Sequence, residues 1–420
     1  MPFTEPAADL DGRDPAGLLA AARAAMEGVT FGPSGDETFQ LDPVPRVIGA
    51  AEWAQLEAGL AQRVRALDAW CADVYGARRI VRDGVVPARV IETTDMLEPA
   101  LQGLSPRAWV AIAGLDVVRA PDGRFMVLED NLRTPSGMAY AVAARATTER
   151  LLQPLGAAAP VALDGLRAML EGAIAAVSPV AEPRVVVLTD GPANDAYWEH
   201  AWLADLLGAA LCEPDGLDVD AFDVVYRRTN DALLESPVGR LLERPWREGQ
   251  IGIVGAFGTG VGDDKLAHAY VEDMVRYYLG EEPLIASVRT FDLGREEVLA
   301  EALDRIEELV VKPREGYGGE GVVICPHAEP ADVERIRAAV EADPHAYIAQ
   351  ELIELSCHAT VVDGALVPRH VDLRPFVFLQ PGGGAAVLPG GLTRVALDEG
   401  TLVVNSSQNG GAKDTWVMRG

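Results

Sequence analysis

A chain of 420 residues, 49% of them apolar, is long enough for two or three lobes with ample cores. Its 64 acidic residues against 36 basic ones leave a net charge of -28. That balance argues against nucleic acid and anionic membrane as partners, because phosphate contacts need clustered Lys and Arg. The N-terminus lacks the basic start and apolar stretch of a signal peptide, and no apolar run reaches the roughly 18 residues of a membrane helix. The four cysteines and six histidines show no metal-type spacing, so a reduced, cytoplasmic protein is expected.

Helical periodicity runs through Ala16–Met26 and Glu52–Val74. In the second stretch Trp53, Leu56, Leu60, Val64, Leu67 and Trp70 recur at three- and four-residue steps. Residues 1–105 are therefore expected to be mainly helical. From Trp109 the texture changes: Val110–Val118, a Pro-Asp-Gly turn and Phe125–Leu128 predict a hairpin, and with the helix Val161–Val177 they fill residues 106–182. After Pro183 the strands Arg184–Leu188, Asp223–Tyr226 and Ile251–Val254 alternate with helix, notably Asn194–Leu207. That alternation predicts a parallel sheet in a small α/β domain at 183–262. Residues 263–420 carry expected helices at Asp264–Leu279, Glu296–Leu309 and Ala331–Ala342. Expected strands are Val310–Pro313, Val322–Cys325, Tyr347–Leu352 and Val371–Val377, with a hairpin turn at Asp363-Gly364.

Three groups of residues could carry chemistry. The first is Lys312 with the loop Arg314–Gly321, whose Gly318, Gly319, Glu320 and Gly321 sit between two strands. Glycines let backbone amides approach phosphate oxygens, although such a loop is also simply a flexible turn. It is neither a Walker loop nor a GxGxxG that opens a helix. The second is Asp116 with Glu129-Asp130-Asn131. In a paired hairpin Asp116 lies across from Glu129, and Glu129 and Asn131 share a face. Two carboxylates and an amide oxygen suit magnesium, while Asp130-Asn131 also read as turn residues ending a strand. The third is Arg374, Arg394 and Arg133, each near a strand and a Gly or Pro. Single arginines are usually surface ion-pair partners, but three together could hold a phosphoryl oxygen bidentately. No nucleophile stands out: Ser136 is not in GxSxG, and Cys357 and His358 would face opposite ways on a strand.

Longer runs carry a resemblance. They include Gln62–Leu67, Val127–Gly137, Tyr226-Arg227-Arg228, Asp263-Asp264-Lys265, Tyr277–Pro283, Ala349-Gln350-Glu351, Pro389–Ala396, Val404–Gln408 and Lys413–Val417. Together these resemble the circularly permuted ATP-grasp family, relatives of the glutathionylspermidine synthetase ligase domain. The resemblance implies an ATP-grasp fold of the α/β (α+β) class, with a helical N-terminal segment and a small pre-ATP-grasp-like α/β domain. It implies that the usual order of lysines, hinge, arginines and metal residues is cut and rejoined, so that the metal residues come early. By that resemblance Lys265 and Lys312 contact ATP, and the Gly318–Gly321 stretch covers its phosphates. Gln350, Glu351 and Leu352 form the adenine hinge, and Asp116, Glu129 and Asn131 hold Mg2+. Arg374, Arg394 and Arg133 stabilise the transferred phosphoryl group. The implied activity is ligation of a small carboxylate, such as an amino acid or small peptide, to an amine or thiol through an acyl phosphate. A phosphotransferase or a nucleotide-binding partner protein would use the same site. Arg227 or Arg228 could hold a substrate carboxylate, or form a core salt bridge.

Overall fold

The computed structural model describes residues 2–8, 10, 12–32, 37–229, 236–314, 321–397 and 411–420. Asp14 caps α1 (Pro15–Ala25) by accepting from the Ala16 and Gly17 amides, with Pro15 at the first helical position. Strand β1 (Leu41–Ile48) leads into α2 (Ala50–Val74), whose predicted apolar stripe from Trp53 to Trp70 is buried throughout. Two single-turn helices, α3 (Arg79–Arg82) and α4 (Arg89–Glu92), follow.

The expected hairpin is present as β2 (Ile112–Arg119) and β3 (Phe125–Asn131), with Asp116 opposite Glu129 and Gly114 opposite Asn131. A register shift just after Asp116 bends the ladder there. Helices α5 (Met138–Leu152) and α6 (Leu166–Val177) precede the small α/β unit. This unit holds β4 (Val185–Leu188), α7 (Tyr197–Leu207), β5 (Ala210–Cys212), β6 (Val224–Arg227), α8 (Pro237–Arg247) and β7 (Gly252–Val254). Its sheet runs β5-β4-β6-β7 and is parallel throughout, as the alternation of elements predicts. Strand β5 was not expected; it is three residues long, with no residue fully buried.

The helix expected at Asp264–Leu279 is instead α9 (Lys265–His268), α10 (Val271–Met274) and a π turn at Val275–Leu279. No Gly or Pro marks the interruption. Tyr270, which lies in it, is tied through its hydroxyl to Asp292. Next come β8 (Ala286–Ser287), β9 (Thr290–Phe291), α11 (Glu296–Asp304), β10 (Leu309–Pro313), β11 (Val323–Ile324), α12 (Pro330–Ala342) and β12 (Tyr347–Glu351). They form a second sheet, β11-β10-β12-β9, whose neighbours are antiparallel. Helix α11 stops short of the expected Leu309, which already begins β10.

The hairpin β13 (Cys357–Val362) and β14 (Ala365–Arg374) turns on Asp363 and Gly364 at φ 51° and 77°, the two left-handed residues of a type I′ turn. The strand expected across Val371–Val377 breaks at Pro375, which has no N–H for the ladder, and resumes as β15 (Phe376–Leu379). The chain closes with β16 (Ala385–Val387), β17 (Leu392–Val395) and β18 (Gly411–Val417). The large sheet runs β1-β18-β17-β14-β2-β15-β16, with β3, β8 and β13 attached. Strand β1, unforeseen in a segment expected to be mainly helical, lies parallel to β18, with Leu41 opposite Ala412. Its prolines, Pro43 and Pro45, hide it from a strand pattern, and the register shifts between Asp42 and Arg46 where they fall. Among the described residues no helix is long and apolar enough to cross a membrane.

Candidate active site

Strands β10 and β12 pair Lys312 with Ile348 and Val310 with Gln350, so alternation sends Lys312, Ile348 and Gln350 to one face. That face meets the end of β3 and the start of α9 across a narrow cleft. Leu128, Glu129, Asp130, Asp263, Lys265, His268, Lys312, Ile348 and Gln350 line it. Lys312 Nζ donates to Glu129 Oε1 at 3.4 Å, although 183 residues separate them. Burial pushes the Lys265 ammonium pKa down, and the Glu129 carboxylate works against that effect. The cleft thus offers two ammonium groups and a carboxylate at one end, and the apolar Leu128 and Ile348 beside Gln350.

Asp116, facing Glu129 across the hairpin, accepts from Arg374 Nε and Nη2 at 2.7 and 2.9 Å, and from Arg394 Nη2 at 2.9 Å. Arg394 is shared with Asp372, whose oxygens accept from its Nε at 2.9 and 3.1 Å. Burial alone would raise the Asp116 pKa, but the two guanidinium charges outweigh it and hold the carboxyl at about 2. Arg394 is held more firmly protonated despite its burial, because it lies between two carboxylates. Arg374 and Arg394 therefore come together beside the hairpin. Arg133 sits apart from them, its Nε donating to Asp263 Oδ2 at 2.9 Å while the Leu132 amide holds Oδ1 at 2.7 Å. Burial raises Asp263 to about 6 even with Arg133 beside it.

Asp116, Glu129 and Asn131 are an oxygen-only set on one hairpin. Among the described residues no group of three His, Cys, Asp or Glu is placed to hold a metal, so a site on this hairpin would draw on the Asn131 amide as well. That amide has a buried Nδ2 with no partner, and its two ends can exchange to present Oδ1. A carboxylate has about four lone-pair positions, so Asp116 can keep its arginines and still face a cation. The donors fit Mg2+, with Glu129 and Asn131 the less encumbered pair.

The other expected residues are placed as follows. Gln350 Nε2 donates to Thr290 Oγ1 at 3.1 Å, with its side chain at the cleft. The Glu351 carboxylate is not at the cleft: it takes Arg305 at 3.1 and 3.2 Å, and its amide donates to the Arg289 carbonyl. Leu352 follows the end of β12, off the cleft lining. Gly318, Gly319 and Glu320 lie outside the described residues. Gly321 has φ 70°, where a Cβ would come within 2.8 Å of Pro313 Cγ. Arg227 donates to the carbonyls of Gly255 and Thr229 at 2.8 and 2.7 Å. Arg228 donates to the Pro135 carbonyl at 2.8 Å, to Ser136 Oγ at 2.6 Å and to Glu199 at 3.2 Å, so it makes the core salt bridge that the sequence left open.

Three supports escaped the residue pattern. Asp130, between Glu129 and Asn131 on β3, receives a fork from Arg63 (Nε to Oδ1 and Nη2 to Oδ2, both 2.7 Å) and lies 2.7 Å from His268 Nδ1. Asp264 caps α9 through the Leu266 amide and pairs with Arg314 at 2.7 Å. Glu199 accepts from the Gly137 and Ala139 amides at 2.9 and 3.0 Å, which fixes the loop between β3 and α5. Beside that loop a second, open cavity is lined by Phe31, Thr134, Ser136, Asp190, Ala193, Asn194, Asp195 and Ala196.

A family model for circularly permuted ATP-grasp type 2 proteins matches residues 45–396. The chain belongs to that family. A Frankia casuarinae protein provisionally named glutamate–cysteine ligase 2-2 is 45% identical over 93% of this permuted ATP-grasp chain and 48% of its own length. The chain thus spans about half the length of the Frankia relatives it matches. An uncharacterised Mycobacterium tuberculosis protein is 44% identical, with 93% of this chain and 76% of the relative covered. A Synechocystis one is 41% identical, with 94% and 88% covered. A glutathione synthetase-like effector from Globodera pallida, solved without ligand, superposes with a TM-score of 0.63 at 12% identity, covering 97% of this chain and 98% of its own. At that identity the likeness concerns the fold alone. In the permuted ATP-grasp chain, the hairpin β2–β3 precedes the β10 and β12 strands that it faces across the cleft.

Proposed function

We propose that this permuted ATP-grasp chain is an ATP- and Mg2+-dependent ligase that joins a small carboxylate, of amino acid or peptide type, to an amine or thiol through an acyl phosphate. The observation that carries the reading is the meeting of Lys312 with Glu129, which brings the lysine strand of the second sheet onto the metal-side hairpin. Lys265 and Lys312 would bind the triphosphate, with the base between Leu128 and Ile348. Glu129 and Asn131, with Asp116 behind them, would hold Mg2+, which when bound neutralises charge on the β- and γ-phosphates. Arg374 and Arg394 are pre-oriented by Asp116 and Asp372, so they can meet negative charge building on the transferred phosphoryl group without reorganising. The reaction asks for no protein nucleophile. The free carboxylate attacks the γ-phosphorus and expels ADP, and the amine or thiol then displaces phosphate from the acyl carbon, losing its proton.

The second substrate would occupy the open cavity beside the loop between β3 and α5. Thr134 on its wall is three residues beyond Asn131, a span of at most about 10 Å of extended chain. Its Asp190 and Asp195 suit an ammonium group. The name of the Frankia relatives supports substrates of amino acid type. The decisive experiment is a screen of amino acids, small peptides and polyamines in pairs, scoring ADP release and product mass. ADP and phosphate that appear only with a carboxylate and an amine or thiol together, plus a product lighter than their sum by one water, is the expected result. A phosphorylated product, or ATP binding without turnover under every pair, would overturn the ligase reading.

A further inference from the structure

His268 ends the first turn of α9, one helical turn beyond Lys265, and is 4% exposed. It lines the narrow cleft that holds Lys265, Lys312 and Gln350. One ring nitrogen is accounted for. Nδ1 lies 2.7 Å from Asp130 Oδ2 and 3.0 Å from Arg63 Nη2. A bare Nδ1 would press its lone pair against the carboxylate at the shorter of these distances, so Nδ1 carries the proton and donates to Asp130. Asp130 is itself gripped by both arms of Arg63, which fixes the ring plane. Burial lowers the imidazole pKa, opposed by Asp130 and aided by Arg63 and Lys312, which favours the neutral ring. Nε2 is then an unprotonated acceptor at the other end of the ring, buried and without a hydrogen-bond partner. A buried acceptor left unmet is uncommon in a folded protein and marks a place where a ligand can supply the donor.

ATP offers few donors. Its phosphate oxygens are acceptors and would repel the lone pair, so the N–H and O–H groups of the nucleoside half are what remain. We propose that His268 is a nucleotide-reading residue whose Nε2 accepts a hydrogen bond from the nucleoside half of ATP, either the 6-amino group of the base or a ribose hydroxyl. This rests on the ATP reading above and adds to it a selectivity element outside the β12 hinge. The arrangement reaches the nucleotide from the metal-side hairpin: Arg63 on α2 orients Asp130, Asp130 orients His268, and Glu129 and Asn131 flank Asp130 on the same strand.

The test measures equilibrium binding, in Mg2+, of ATP, purine riboside triphosphate (which lacks the amino group), 2′-deoxy-ATP and 3′-deoxy-ATP to the full chain. Wild type is compared with His268→Phe and with His268→Asn, whose amide can still donate toward Asp130 and so guards against misfolding of the first variant. In wild type one analogue should bind at least about tenfold more weakly than ATP. In a folded variant ATP should weaken by a similar factor, and the discrimination against that one analogue should shrink by the same amount. The analogue concerned tells base from ribose. If the folded variants bind ATP as wild type does, or weaken ATP and all three analogues equally, His268 does not read the nucleoside. If wild type binds no ATP at all, the ATP reading itself fails, which is a distinct result.

Discussion

Glu129 and Asn131 share one face of β3, and each can be tested by a single substitution. Glu129→Gln removes the charge that meets Lys312, and Asn131→Ala removes the amide oxygen. Either should abolish ADP release while the circular dichroism of the fold is unchanged, and a folded variant with full turnover would sink the metal assignment. Lys312→Ala should raise the ATP concentration needed for half-maximal turnover by about tenfold or more, read from ADP release. Asp116 makes a pH prediction. Its folded pKa of about 2 lies below the ordinary 3.8, so its ion pairs stabilise the fold above pH 4, and that stability is lost as pH falls from about 4 to about 2. The shift corresponds to roughly 2 kcal/mol. Urea unfolding of wild type and Asp116→Asn from pH 6 downward should show the stability gap narrowing by about that amount. The spacing of Asp116, Glu129 and Asn131 was legible in the sequence because alternation along a hairpin is local. The Arg63–Asp130–His268 group was not, because its members stand 67 and 138 residues from the shared carboxylate and only the packed fold brings them together.

At the level of elements, Glu199 on α7 ties the small α/β unit to the start of α5. Its carboxylate receives the Gly137 and Ala139 amides and the Arg228 guanidinium, and both charges are essentially fully buried. Glu199→Ala leaves Arg228 charged without its partner and should cost about 3–5 kcal/mol in denaturant unfolding. A loss below about 1 kcal/mol would show that the tie is dispensable. Helices with an apolar stripe, such as α2, and hairpins with Gly or Asp at the turn were readable because their signals repeat over a short window. Strand β1 was not readable, since Pro43 and Pro45 break the expected pattern and its burial comes from the distant β18. The break between α9 and α10 has no Gly or Pro to announce it, and the Tyr270–Asp292 contact that accompanies it is tertiary.

Across the whole molecule, the permuted order was readable only from motifs taken together, because each half of the site is ambiguous by itself. The large sheet draws on both ends of the chain: β18 lies between β1 and β17, and Lys413 on β18 is buried against Asp42 on β1. Removing residues 411–420 should therefore leave both neighbouring strands with open edges and give a chain without cooperative thermal unfolding. A truncated protein that still melts in one sharp transition would contradict the pairing.

The β1–β18 pairing also has a consequence for biosynthesis. A ribosome adds about 5–20 residues per second, so β1 waits roughly 20–70 s for its neighbour to be made. Meanwhile the α/β unit, whose strand pairings all lie within 183–262, can already form its sheet. The large sheet can close only once β18 has been made, and a chain stalled before that point would present β1 to whatever chaperone or stray strand lies nearby.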